Sequence, residues 1–171
     1  YDNVRLLDGS PHAVVFNLVF ALWAKFCILL RLPGCFYKRH GLVRAILEAD
    51  YWLDASGISF ADGREKFLIY NVMSIFPALL LGCRIVKMPQ ALGPFEGKVN
   101  RFFASFVLPR LELVCSRGEV TSGYLEGLGL QNYCYYPDAA FSLISGEGER
   151  EAAGRYVEFV DKRIVGVSPS Q

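Results

Sequence analysis

The chain has 171 residues, 53% of them hydrophobic, which is the length and apolar content of one domain with a large core. Its 18 basic and 17 acidic side chains nearly cancel, which argues against a general nucleic-acid binder, since phosphate neutralisation needs a clustered excess of Lys and Arg. A small anionic ligand, which needs only one or two well-placed cations, stays open.

Residues 1–12 are mixed, with a turn signal at Asp8-Gly9-Ser10-Pro11. Residues 14–32, VVFNLVFALWAKFCILLRL, are apolar apart from Asn17, Lys25 and Arg31. They read as one helix, and their length admits a membrane span. Asn17, Ala21 and Lys25 fall on one less-apolar stripe, and placing Lys25 mid-membrane costs roughly 2.5–3.5 kcal/mol. Burial against a sheet is therefore the leading expectation. The alternative is a helix lying in a membrane surface, with Lys38 and Arg39 towards anionic lipid.

A short amphipathic helix is expected over 37–49, with Leu42, Ile46 and Ala49 on one side. Residues 51–57 then read as a strand entering a turn at Ser56-Gly57. The run 67–81 is apolar nearly all round, as in a buried helix, with Pro77 as a kink and Gly82 as its stop. Strand 83–88, a loop at Pro89-Gln90-Ala91-Leu92-Gly93-Pro94, helix 98–107, strand 111–115, helix 119–128 and strand 133–136 follow. A charged helix over 147–162 leads to a last strand over 164–168. Strands alternating with helices give right-handed crossovers and a parallel sheet covered on both faces.

Cys27, Cys35, Cys83, Cys115 and Cys134 are odd in number and include no CxxC pair. They read as free thiols in a reducing compartment rather than as disulfides or, with only His12 and His40 beside them, a metal site. Neither histidine follows a strand, so neither is a strong general-acid candidate. GxSxG, HExxH and the P-loop pattern are absent from the sequence, which disfavours a serine hydrolase, a zincin and a P-loop NTPase.

Open α/β sheets place ligand chemistry at the carboxyl ends of their strands. The polar residues there are Ser56 and Gly57, Gln90 and Gly93, Arg117 after Ser116, and Asp138 after Pro137. Arg117 stands one place past a strand and opens a helix, where a guanidinium can grip a carboxylate or phosphate through two parallel bonds. Pairing of Arg117 with Glu119 or Asp138 explains it equally well on residues alone. Asp138 suits a loop anchor that accepts backbone N–H groups.

Gln90-Ala91-Leu92-Gly93-Pro94, Ser116-Arg117 and Pro137-Asp138-Ala139-Ala140-Phe141, in this order, resemble the polysaccharide pyruvyl transferase family. The resemblance covers residues 49–143. The chain departs from the family at Ala91, where a Gly is common, at the glycine-poor turn around Gly57, and in showing no Asn-X-Gly-Asp stretch before Asp50.

The resemblance implies a transferase that moves pyruvate from phosphoenolpyruvate onto a sugar of a polysaccharide or glycolipid as a ketal, without a cofactor. It implies two Rossmann-like domains in the GT-B arrangement: residues 1–162 as the N-terminal one, incomplete at its start, and 163–171 as the first strand of the second. Arg117 is implied as a holder of phosphoenolpyruvate, with Gln90, Gly93, Ser56, Gly57 and Asp138 around it. A second Arg and a catalytic His are implied beyond residue 163, so the chain alone is expected to be inactive. The expected location is the cytoplasm, at the inner face of the membrane if residues 14–32 touch lipid. The rival readings are a GT-B nucleotide-sugar glycosyltransferase or epimerase, and a non-catalytic membrane-docked subunit of a polysaccharide assembly complex.

Overall fold

A computed structural model describes residues 11–138. In chain order these form α1 (Pro11–Leu29), α2 (Gly41–Glu48), β1 (Tyr51–Asp54), β2 (Ile58–Ala61), α3 (Glu65–Leu81), β3 (Arg84–Gly93), α4 (Lys98–Val107), β4 (Leu113–Ser116), α5 (Glu119–Gly127) and β5 (Tyr133–Tyr135). The expected helix over 147–162, the strand over 164–168 and the domain boundary after residue 162 lie outside the described residues.

The strands lie in the order β1-β3-β4-β5, with β2 also on β3, and every pairing among them is parallel. Two expectations need correcting here. The turn read at Ser56-Gly57 leads directly into an unexpected strand, β2, and the loop read at 89–94 is the continuation of β3 through Gly93. One break explains both. β1 pairs with β3 from Tyr51↔Arg84 to Asp54↔Lys87, and β2 resumes the pairing at Ile58↔Ala91. On the other side the β3–β4 register shifts between Lys87 and Gln90. Pro89, which lacks the N–H of a central strand residue, sits inside this interruption. A proline and a glycine read locally as a loop, while the pairing on either side keeps the segment extended.

The helix expected over 37–49 begins only at Gly41, because a 3-10 turn over Gly34–Phe36 occupies the approach. α3 runs through Pro77 and ends as expected. Gly82 takes φ +82°, its N–H bonding Leu79 O (3.2 Å) while Cys83 N–H bonds Ala78 O (3.0 Å).

The core is a single apolar cluster on one face of the sheet. It joins Leu42 and Ile46 of α2, Leu68 and Ile75 of α3, Val107 of α4 and Leu125 of α5 to Ile85 and Val114, with Trp52 and Tyr133 packed against it. Val86, Met88 and Leu113 alternate to the other side and stand outside that cluster, partly exposed. The expected cover on both faces is thus not supplied by the described residues.

α1 also departs from expectation. It packs on α3 rather than on the sheet, burying Val14, Ala21, Ala24 and Cys27. Ala21, on the stripe read as less apolar, points inward, and the large apolar side chains point out.

Gly93 marks where α5 meets the sheet. Its φ is +95°, and a Cβ there would lie 2.6 Å from Tyr124 Cδ2 and 2.9 Å from Tyr124 Cβ. Gly93→Ala is expected to lower stability by roughly 1–3 kcal/mol in urea unfolding, from backbone strain and overlap. Gly57, with ordinary φ and nothing within 4 Å of a Cβ, should tolerate alanine to within about 0.5 kcal/mol.

Candidate functional site

The carboxyl ends of the strands carry two linked polar groups of residues. The first is built on a buried ion pair. β1 and β3 bring Asp54 and Lys87 into register, and Lys87 Nζ donates to Asp54 Oδ2. Lys87 is completely buried. Burial alone would raise the Asp54 carboxyl, but the adjacent Lys87 charge and hydrogen bonds from Lys87 and Ser56 bring it below the ordinary 3.8. Burial lowers the Lys87 ammonium, against the pull of Asp54.

Ser56 and Gln90 complete this group. Ser56 N–H donates to Asp54 Oδ1 at 3.1 Å. The Ser56 hydroxyl lies 2.8 Å from the same oxygen and 3.2 Å from Gln90 Oε1; its single proton favours the charged acceptor. Ser59 donates its hydroxyl to Gln90 Oε1, while Gln90 Nε2 reaches Met88 O (3.3 Å) and Asp54 O (3.4 Å). Gln90 is therefore fully buried, with both ends of its amide bonded within the protein. Gly57 contributes its carbonyl, which accepts Ala91 N–H at 3.1 Å.

The second group lies where β4 and β5 end. Arg117 N–H donates to Gln90 O (3.1 Å), which links it to the first group. Arg117 Nη1 donates to Asp138 Oδ2 at 3.0 Å, and both side chains are 35% exposed. Gly118 takes φ +107° directly after Arg117, and α5 starts at Glu119. Beneath, Ser116 is buried and its hydroxyl bonds Cys134 O (3.2 Å) and Ser122 Oγ (2.6 Å). The Cys115 thiol, buried and 3.7 Å from Cys134 Sγ, is pushed up to about 11, so it stays protonated and unreactive near neutrality.

The structure thus brings Ser56 to Gln90 and Arg117 to Asp138, and sets Gly93 against Tyr124 rather than beside either pair. His40 stacks on Phe20 of α1 at 4.2 Å, and burial lowers its imidazole. Asp62 anchors the start of α4, accepting from Glu96 N (2.6 Å), Gly97 N (3.2 Å) and Asn100 Nδ2 (2.6 Å). Lys87 escaped the sequence reading. Its signal was a lysine inside the apolar run Arg84-Ile85-Val86-Lys87-Met88, with Asp54 closing the neighbouring apolar strand.

A parallel α/β sheet whose strand ends carry such a rim is a ligand-binding architecture. The family model for polysaccharide pyruvyl transferase matches residues 15–168, and the chain belongs to that family. No curated protein and no solved structure matches it.

Asp54→Ala strands the Lys87 charge and should cost about 3–5 kcal/mol in urea unfolding. Replacing both partners, Asp54→Leu with Lys87→Met, should recover most of that loss. With its native carboxyl held below the unfolded one, Asp54 adds stability above the unfolded pKa and loses it as pH falls through the native value. Unfolding midpoints of the wild type should therefore fall below about pH 4, and Asp54→Asn should flatten that part of the profile.

Proposed function

We propose that the protein moves the enolpyruvyl carbons of phosphoenolpyruvate onto two hydroxyls of a polysaccharide or glycolipid sugar, forming a pyruvate ketal. The reading is carried by Arg117. Its guanidinium stands at the rim of the sheet in a chain of the pyruvyl transferase family, held through Nη1 and partly open to solvent.

In this reading the Asp138 carboxylate orients the guanidinium, and the remaining N–H groups of Arg117 bind the donor's carboxylate or phosphate. The N-terminus of α5, behind Gly118, adds a dipole of the right sign. The Lys87–Asp54–Ser56–Gln90 set, with Lys87 and Gln90 fully buried, acts from beneath, by fixing the β3 backbone whose carbonyl at Gln90 holds Arg117 N–H.

Chemically, an acid delivers a proton to C3 of the enol, and C2 becomes oxocarbenium-like. One sugar hydroxyl bonds C2 and releases its proton. The C2–O bond to phosphate then breaks, and the second hydroxyl adds as its proton leaves. The arginine stabilises the donor's negative charge throughout. The acid comes from a second Rossmann-like domain facing this rim, the arrangement implied by the family resemblance, and the reaction needs no cofactor.

In the full-length protein, Arg117→Ala should lower kcat/KM for phosphoenolpyruvate by about ten- to a hundredfold, the scale of a lost charge-assisted hydrogen bond. Stability should change by less than about 1 kcal/mol, since the ion pair is part-exposed. Calorimetry should detect phosphoenolpyruvate and not a uridine diphosphate sugar. Unchanged kinetics in Arg117→Ala removes this residue from the site, and binding of the uridine nucleotide alone replaces the donor with an activated sugar.

A further inference from the structure

We infer that the outward face of α1, with the neighbouring surface of α3, lies in the plane of an anionic membrane surface and holds the domain there. The observation is an amphipathic arrangement turned inside out. The side of α1 that meets the protein is made of small residues, with Ala21, Ala24 and Cys27 fully buried. The side that meets solvent carries Val15, Phe16, Val19, Leu22, Trp23 and Phe26, each 47–58% exposed. Only 22% of the most apolar stretch, His12–Leu29, is buried, so α1 is no core helix.

The apolar surface does not stop at α1. A groove of about 620 Å³ between α1 and α3 is lined by Val14, Val15, Phe67, Ile69, Tyr70 and Met73, and Ile69 is 70% exposed. Monomeric soluble proteins rarely leave so continuous an apolar patch in water.

Charge selects the occupant. From Pro11 to Val43 the chain carries Lys25, Arg31, Lys38 and Arg39 and no acidic residue, and Arg44 just beyond pairs with Glu48 at 3.4 Å. Lys25, Arg31, Lys38 and Arg39 are exposed around α1 and the turn that follows it. An apolar helix face edged by cations fits acyl chains beneath anionic headgroups. The packing of α1 along α3 fixes the mode. A helix that lies on its own domain presents one side to the bilayer and cannot cross it. Trp23, with its indole N–H 3.4 Å from Phe36 O, is placed as an interfacial reporter.

The test is flotation of the intact chain with vesicles of phosphatidylcholine alone or with 30% phosphatidylglycerol, a fraction on the order of that in anionic cell membranes. Binding to the mixed vesicles should be at least about tenfold tighter, and should weaken in high salt. Val19→Glu with Leu22→Glu and Phe26→Glu should abolish it. Circular dichroism and thermal unfolding report folding of this variant, and Trp23 gives a readout that needs no charge introduced. In a Trp52→Phe background, its emission should shift to the blue on vesicle addition. Lipids brominated near the headgroup should quench it more than lipids brominated at the chain ends. Equal binding to neutral and anionic vesicles, retained binding by the folded triple variant, or deepest quenching at the bilayer centre overturns the inference. So does a dimer in solution that ignores vesicles and that the triple variant dissociates. None of these outcomes depends on pyruvyl transfer.

Discussion

The rim of this sheet depends on one buried pair of charges. Lys87 stands where a parallel strand would ordinarily carry valine or isoleucine, and Asp54 stands opposite it. Neither charge is tolerable there alone. Together they fix the end of β1 against β3 at the point where the backbone ladder between them stops. The same carboxylate receives Ser56, and beside it Gln90 receives Ser59, so five side chains take over from the missing main-chain bonds.

That substitution relates packing to function. The residues proposed to meet the ligand, Arg117 and Asp138, are partly exposed. Their placement is borrowed from neighbours: Arg117 through the carbonyl of buried Gln90, and α5 through Tyr124 against Gly93. A site of this kind separates rigidity from chemistry. In the proposed reading the inner set holds shape and the part-exposed fork meets the donor.

Much of the fold was legible because most helices announced themselves. The apolar run before Gly82, the amphipathic 98–107 segment and the strand preceding Arg117 all carry local signals. β2 was hidden because its residues, Ile58-Ser59-Phe60-Ala61, are too few to show a period and follow a turn-like Ser56-Gly57. The extension of β3 was hidden behind Pro89, whose tolerance there depends on a break in its neighbours' pairing. The orientation of α1 was illegible for another reason: with hydrophobic residues nearly all round, periodicity does not say which side faces the protein. Of the site, the strand-end polar residues were found from sequence order, and the Arg117–Asp138 contact was one of two pairings the residues allowed. The Lys87–Asp54 pair was not found, since only three-dimensional register brings those charges together.

The interruption between β1 and β2 has a mechanical meaning. Four rungs fasten the edge below it and two above; between them Ala55 and Ser56 have no partner residue on β3, and the ladder resumes at the Gly57 carbonyl, which accepts Ala91 N–H. Across that gap the edge is joined by side chains, Ser56 bridging Asp54 and Gln90, so its hold on β3 there depends on residue identity where elsewhere it depends on main-chain pairing alone. A substitution at Ser56 would therefore loosen the lip of the sheet while leaving the four rungs beneath it paired.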